Sequence, residues 1–307
     1  MRIQLIDIDN KYREKKRRGK RFPNLALMKI SAYHKQEGDI TGLNLLFPDK
    51  TYVSCVFTKN RLNAINECCN FDIDRDFGGS GLSLDFTLPH YIEHIKPDYN
   101  LYPFQEYSMG FTSRGCPRKC GFCIVHTKEG KLQRWQHIKE FHDFRFKSCK
   151  LLDNNIFADK EWFFENTNWA IENKVQLDIT QGMDIRLLTD EIAEQLHRIR
   201  FVDQQMRFAW DNLNSEQYVK SGIEMLRDHK INIRRNVSFY VLSGFDTLVE
   251  SDIYRCNKLR EWDAMAFVMK YHDNDPILNH LARWANKREL FRSTTFEEYL
   301  NTKGCAQ

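Results

Sequence analysis

A chain of 307 residues with 42% hydrophobic and 29% charged residues has the balance of a globular protein, its 22 Phe supply bulk for an extensive core, and its length suits one large domain with a modest second. The net charge of +4 is too small to define a partner class, no apolar run is long enough to span a bilayer, and the opening MRIQLIDIDN carries acids where a secretory leader needs a basic and then an apolar run. Nine cysteines, three of them within eight positions, argue against a secreted disulfide framework, so reduced thiols, a cytoplasmic location and no membrane partner are expected.

Taken in order, Arg2–Ile8 alternates and is β-branched, which predicts a strand, and Leu25, Leu27, Met28, Ile30 and Tyr33 recur at helical spacing. Thr51–Thr58 predicts a second strand, Leu62–Cys69 a short helix, and Gly78–Gly81 (GGSG) a turn that could approach a phosphate but reads more simply as a loop. The Pro-, Tyr- and Asp-rich stretch Leu88–Phe104 reads as a linker or an edge between domains, with the boundary near residue 105.

Beyond it, strand candidates Tyr107–Thr112, Ser148–Leu152, Val175–Ile179, Gln205–Ala209, Ser238–Leu242 and Ala266–Met269 recur. Helical segments Trp162–Asn173, Asp190–Arg200, Glu216–His229 and Thr247–Glu261 lie between them. Such units predict a parallel sheet whose right-handed crossovers curl it towards a barrel or part-barrel, with active residues at the carboxyl ends of the strands. The tail from Pro276 reads as helices packed outside. The predicted fold is therefore α/β: a small Rossmann- or flavodoxin-like domain over 1–105, a (β/α)6 part-barrel of the TIM type over 106–275, and a helical extension over 276–307.

Cys116, Cys120 and Cys123 stand in C-x₃-C-x₂-C spacing directly after the first strand of the larger domain. Thiolates are soft ligands for iron–sulfur clusters or zinc, and Arg114, Arg118 and Lys119 are placed to favour the anionic forms. Gly115, Pro117 and Gly121 suit a loop wrapped around a metal, and a four-iron cluster held by three protein sulfurs keeps one iron open. The competing reading is a zinc knuckle with His126 or Cys149 as fourth ligand.

The spacing, with the aromatic Phe122 before the last cysteine, strongly resembles the radical S-adenosylmethionine (SAM) superfamily. The resemblance implies a [4Fe–4S] cluster on the three cysteines, SAM chelating the open iron, and reductive cleavage to a 5′-deoxyadenosyl radical that acts on an unidentified substrate. An external electron donor is implied with it. Asp153, Asn154 and Asn155 follow the second barrel strand, where the family holds the SAM amino group. Thr180–Arg186 (TQGMDIR) resembles the Q-G-x-D-x-R pattern of superfamily members with a cobalamin-type N-terminal domain, which makes Gln181 and Arg186 contacts to the ribose or carboxylate of SAM and leaves Asp184 either to orient Arg186 or to form a surface pair with it. Later strand ends offer Trp210 and Asp211, Ser243, Gly244 and Phe245, and Lys270 and Tyr271, the glycine allowing close approach of an adenine, with Asp211 and Tyr271 facing either substrate or the interior.

More weakly, Asp7, FPNLALMKISAYHK, YVSCVF and GGSG make the first hundred residues resemble that cobalamin-binding domain. Its cobalt-ligating signature Asp-x-His-x-x-Gly is absent, so cobalamin lacks its usual lower ligand and only base-off binding stays open.

Eight basic residues, Lys11, Arg13, Lys15, Lys16, Arg17, Arg18, Lys20 and Arg21, could bind nucleic-acid phosphates or form a solvated loop. The alternative to a radical SAM enzyme is thus a metal-stabilised nucleic-acid-binding protein without SAM chemistry. The other cysteines, at 55, 68, 69, 149, 256 and 305, read as structural thiols.

Overall fold

The alternating, branched residues of β1 (Arg2–Asp7) place Ile3 and Leu5 in the core, where α1 (Leu25–Gln36) lays Leu27 and Ile30 over them. Each such side chain contributes about 1.5–3 kcal/mol of burial. Asn24 caps α1 by accepting from the Leu27 amide at 3.2 Å, and its own amide reaches Ser54 Oγ at 2.8 Å. The strands β2 (Ile40–Gly42), β3 (Lys50–Ser54) and β4 (Asp74–Gly78) join β1 in one parallel sheet of order β2-β1-β3-β4, with Ile3 opposite Lys50 and Val53 opposite Phe77. Between β3 and β4 lies α2 (Arg61–Cys68). A flavodoxin-type sheet begins with this order, reversing between β1 and β3.

The computed structural model describes residues 1–13, 21–68, 74–272 and 274–302. It divides into two compact units, Met1–Gly110 with Gln136–Phe146, and Phe111–Trp135 with Lys147–Gln307. Lys15, Lys16, Arg17, Arg18 and Lys20 of the basic run lie outside the described residues, as do Cys69 and Cys305. Lys11, at the edge of that run, pairs with Glu67 at 2.5 Å.

Three details of the first unit differ from the sequence reading. β3 stops at Ser54 rather than Thr58 because the Asp9 carboxylate takes the Val56 amide at 2.6 Å and the Phe57 amide at 3.4 Å, out of strand geometry. β4 was hidden by its charge (DRDFG): it is an edge strand whose Asp74 and Asp76 meet Lys50 of β3 at 3.2 and 2.9 Å. The stretch 88–104 is not a free linker, since Tyr99 and Tyr102 are buried and bonded, Tyr102 donating to Asp7 at 2.6 Å and Tyr99 to the Phe141 carbonyl at 2.8 Å. The unit therefore runs past residue 105 to Gly110 and regains Gln136–Phe146; a Cβ on Gly110 would stand 2.7 Å from the Phe141 ring.

After β5 (Ser108–Gly110), the second unit opens with a hairpin, β6 (Ser113–Arg114) antiparallel to β7 (Gln133–Arg134). Strand–helix alternation follows: β8 (Ser148–Leu151), α3 (Lys160–Glu172), β9 (Gln176–Ile179), α4 (Asp190–Arg198), β10 (Met206–Ala209), α5 (Glu216–Asp228), β11 (Val237–Ser243), α6 (Val249–Glu261) and β12 (Met265–Lys270). β8 pairs parallel with β9, and β10, β11 and β12 form a parallel sheet. Single parallel bridges, Leu177 to Phe201 and Met183 to Phe208, lie between the two groups. The alternation matches the strand and helix segments expected from periodicity to within a few residues at each end.

On α6, fully buried Asp252 and Arg255 pair at 2.5 Å; Arg255 also donates to the carbonyls of Trp210 and Leu242, and Asp252 accepts from the Gly244 amide at 2.9 Å. This ion pair ties the carboxyl ends of β10 and β11 together. The tail forms α7 (Pro276–Ala285), α8 (Arg288–Ser293) and α9 (Phe296–Thr302), packed through Trp284 against Phe291 and Phe296.

Candidate functional site

The three cysteines lie on the loop between β6 and β7, and the loop is fixed at its base. Thr112 gives its carbonyl to the Trp135 amide at 2.8 Å and to the Trp162 indole at 2.7 Å. Gly115 adopts φ +77°, and a Cβ there would lie 2.2 Å from the Lys131 carbonyl oxygen, so only glycine fits. Glu129 staples the loop from inside, accepting from the Gly115 amide at 2.9 Å, from Arg114 at 3.0 Å and from Asn154 at 2.7 Å.

Asp153 holds the start of the loop. Its Oδ1 accepts from Ser113 N at 2.5 Å, Thr112 Oγ1 at 2.5 Å and Ser113 Oγ at 2.7 Å, and Oδ2 from Thr112 N at 3.0 Å. Burial pushes this carboxyl up against those four bonds. Both Asp153 and Asn154 are thus engaged with the cysteine loop itself.

Asn155 differs. Its amide points at Cys116 Sγ at 3.8 Å and at Asp184 Oδ2 at 3.4 Å, while its Oδ1 is buried with no hydrogen-bond partner. A buried acceptor without a partner is costly and calls for a donor at this place.

Asp184, just beyond β9, is the hub of the site. It accepts from Arg118 Nε at 2.5 Å, from Arg186 Nε at 2.7 Å and Nη2 at 3.1 Å, and from the Arg186 amide at 3.2 Å. Burial pushes its carboxyl up, but the two guanidinium groups outweigh it and hold it below the usual range. Asp184 therefore does orient Arg186, and it also captures Arg118 from between Cys116 and Cys120, a link with no signal in the sequence.

The expectation that Arg114 and Arg118 lower the thiols is corrected by these contacts. Arg114 is spent on Glu129 and lies over the Phe111 ring at 4.2 Å, and Arg118 is spent on Asp184. The Cys120 thiol is pushed up, by burial first, with Arg186 opposing and Asp211, Cys123 and Cys116 adding to the rise. These same influences place Cys120 within electrostatic reach of both other cysteines, of Arg186 and of Asp211. Asp211 is itself raised, by burial against Arg255 and Arg186. Among the described residues no three Cys, His, Asp or Glu side chains form a ready-made site for a metal ion.

Of the remaining candidates, Gln181 is exposed, and the adjacent Gly182 (φ +90°) makes room for the Tyr240 ring, 2.9 Å from a built Cβ. Ser243 is fully buried, with its hydroxyl on the Val241 carbonyl at 3.4 Å. At Gly244 (φ +80°) Leu278 packs where a side chain would stand, 2.5 Å from a built Cβ. The neighbour that reaches the cysteine loop is Phe245, edge-on to Phe122 at 5.5 Å and to Tyr271 at 4.8 Å. Glu129 was not singled out in the sequence, since an isolated Glu in a loop carries no spacing signal. Cys55, Cys149 and Cys256 are buried free thiols, and burial pushes Cys55 up to about 11 and Cys256 to about 12.

No protein-family model and no curated protein matches the sequence. Among solved structures, the chain is similar to the radical SAM methyltransferase TsrM from Kitasatospora setae with cobalamin and a [4Fe–4S] cluster bound, at TM-score 0.62 and 10% identity over 88% of this chain and 74% of that one. It is likewise similar to TsrM with tryptophan substrate and the SAM analogue aza-SAM bound, at TM-score 0.62 and 11% identity over 87% of this chain and 72% of that one. At this identity the likeness is one of fold: a mixed α/β chain with parallel sheets.

Proposed function

We propose that the chain is a radical SAM enzyme, with Cys116, Cys120 and Cys123 holding a [4Fe–4S] cluster in the second unit, read as a part-barrel, and with a cobalamin-type first unit that works without cobalamin. The observation that carries this is convergence. The ends of β8 and β9, through Asp153, Asn155 and Asp184, all fasten or face the loop that bears the three thiols.

The donor set fits such a cluster: three soft thiols on one braced loop, an amide aimed at the Cys116 sulfur, and a polar charge lattice beside Cys120. Bound there, a four-iron cluster with an open iron supplies the one-electron reductive cleavage of SAM to a 5′-deoxyadenosyl radical, using an external electron donor. The chain's own residues then bind and orient. Arg186, locked by Asp184, offers its remaining N–H donors to a carboxylate, and Asn155 Oδ1 offers the acceptor that an amino group needs. Gln181, exposed beyond β9, and Asp211, within electrostatic reach of Arg186, are the polar groups we assign to a ribose hydroxyl. Phe122, Phe245 and Tyr271 form a run of edge-on aromatic contacts beside the loop.

Cobalamin is not carried over from the structural neighbour. The Asp-x-His-x-x-Gly ligand signature is absent, and at the carboxyl ends of β1 and β3 the Val56 and Phe57 amides are taken by Asp9. The GGSG turn presses onto the same strand end, since a Cβ on Gly79 would stand 2.2 Å from the Cys55 carbonyl oxygen.

Anaerobic reconstitution with iron and sulfide, followed by SAM and reductant, tests the reading. Four irons per chain and release of 5′-deoxyadenosine are expected, with both lost when any of Cys116, Cys120 or Cys123 becomes serine. One zinc per chain with no SAM binding refutes it.

A further inference from the structure

At the amino-terminal ends of β11 and β12, α6, α8 and the segments leading into the two strands enclose a cleft of about 540 Å³, lined by Arg234, Arg260, Arg292, Asn257, Asp263 and Phe291 among others. That volume falls within the range of about 300–1,000 Å³ of small-molecule sites. None of these residues belongs to the cysteine site. We propose that the cleft binds a phosphoryl anion, free or carried by a nucleotide, on the guanidinium groups of Arg234, Arg260 and Arg292.

Three guanidinium groups around one cleft repel each other unless something negative lies between them. Of the two acids in the lining, Glu261 is spent on Lys258 at 2.7 Å, which leaves Asp263 against three cations. Among the described residues no carboxylate forms an ion pair with Arg234, Arg260 or Arg292. The arginines on α8 are instead anchored on main-chain carbonyls: Arg292 donates to the Arg234 carbonyl, and Arg288 to the Arg235 carbonyl at 3.1 Å. A carbonyl anchor fixes a guanidinium in place without neutralising it, so the remaining N–H donors stay available in a fixed fork suited to phosphate oxygens. The electrostatics agree, since Arg292 is held below its usual value, by burial first and then by Arg288 and Arg234, with Asp263 opposing.

The lining also says which part of a ligand is read. Its aromatic, Phe291, is 1% exposed and cannot serve as a stacking platform for a base. Recognition therefore falls on the phosphate oxygens.

Isothermal titration of the full chain with inorganic pyrophosphate, ATP and adenosine tests this. Saturable binding of pyrophosphate or ATP at one site, absent with adenosine and weaker at higher salt, is expected. Arg260→Ala and Arg234→Ala should each weaken it about tenfold, the loss of one charge-assisted contact, with circular dichroism unchanged. Lys220→Ala on α5, outside the cleft lining, should leave it as it was. Equal affinity for pyrophosphate and ATP assigns the cleft to phosphate groups alone, and tighter ATP binding assigns it to a nucleotide; both support the proposal. Absence of saturable binding by either, affinity unaltered in both arginine variants, or binding of single-stranded RNA without binding of either small anion overturns it.

Discussion

Arg118 Nε donates to Asp184 at 2.5 Å across 66 residues of sequence, so the middle of the cysteine loop is pinned to the segment that leaves β9. The same carboxylate holds Arg186. Replacing Asp184 by alanine leaves two part-buried guanidinium groups without their anion. Allowing for solvent around both, the loss in stability should be about 2 kcal/mol by urea unfolding. Iron retained after reconstitution should fall with it, and unchanged stability removes the pin from the account of the loop.

Because its folded-state carboxyl is held below the unfolded value, Asp184 contributes stability that is fully present above the ordinary carboxylate pKa near 3.8 and is lost as pH falls through the lower folded value. An acid titration of the native chain followed by fluorescence should include this loss below about pH 4. Asp184→Asn should be less stable at neutral pH, and its deficit should shrink towards the acid end. A deficit that stays constant with pH contradicts the assignment.

Gly115 and Gly130 both have positive φ, +77° and +72°, but only Gly115 faces an obstacle; the space around Gly130 is open. Gly130→Ala should cost about 1 kcal/mol, the backbone term alone. Gly115→Ala should cost about 3 kcal/mol or more, because the obstacle is the Lys131 main chain. Thermal melting of the two variants side by side reads the difference, and equal melting points refute it.

Asp153→Asn keeps the shape of the side chain and changes one oxygen to a donor facing donors. With four bonds converging on the carboxylate, the variant should lose about 2–3 kcal/mol, far more than an isosteric change at an exposed aspartate. Differential scanning calorimetry provides the comparison, with Asp190→Asn, an exposed position at the start of α4, as reference.

Gly244→Ala drives a methyl group into Leu278 at 2.5 Å, so Leu278→Ala should recover part of the stability that Gly244→Ala loses, the strain of φ +80° remaining. A double-mutant cycle with additive losses overturns this reading of Gly244.

Much of the fold is legible in the sequence because its determinants are local. The apolar alternation of Val237–Ser243 and the helical spacing of Glu216–Asp228 are set within a dozen residues, and those elements form where periodicity places them. The C-x₃-C-x₂-C spacing is local too, and it marked the loop on which the structure converges. Charged β4 escaped because an edge strand needs no apolar face, and the return of Gln136–Phe146 to the first unit escaped because Tyr99 and Gly110 find their partner in Phe141, far along the chain.

By itself, then, the sequence determined the alternation of strands and helices, the thiol triplet and the placing of polar residues beyond the strand ends. Only the tertiary structure decided what those residues do. Asp153 and Asn154 fasten the loop, Asp184 binds Arg118 as well as Arg186, Gly244 yields to Leu278, and Asn155 alone of its triplet turns an unpartnered oxygen inward. The reason is physical: a polar side chain's role is fixed by the partner that satisfies it, and here the partners of Asp153, Asn155 and Arg118 lie 40, 39 and 66 residues away.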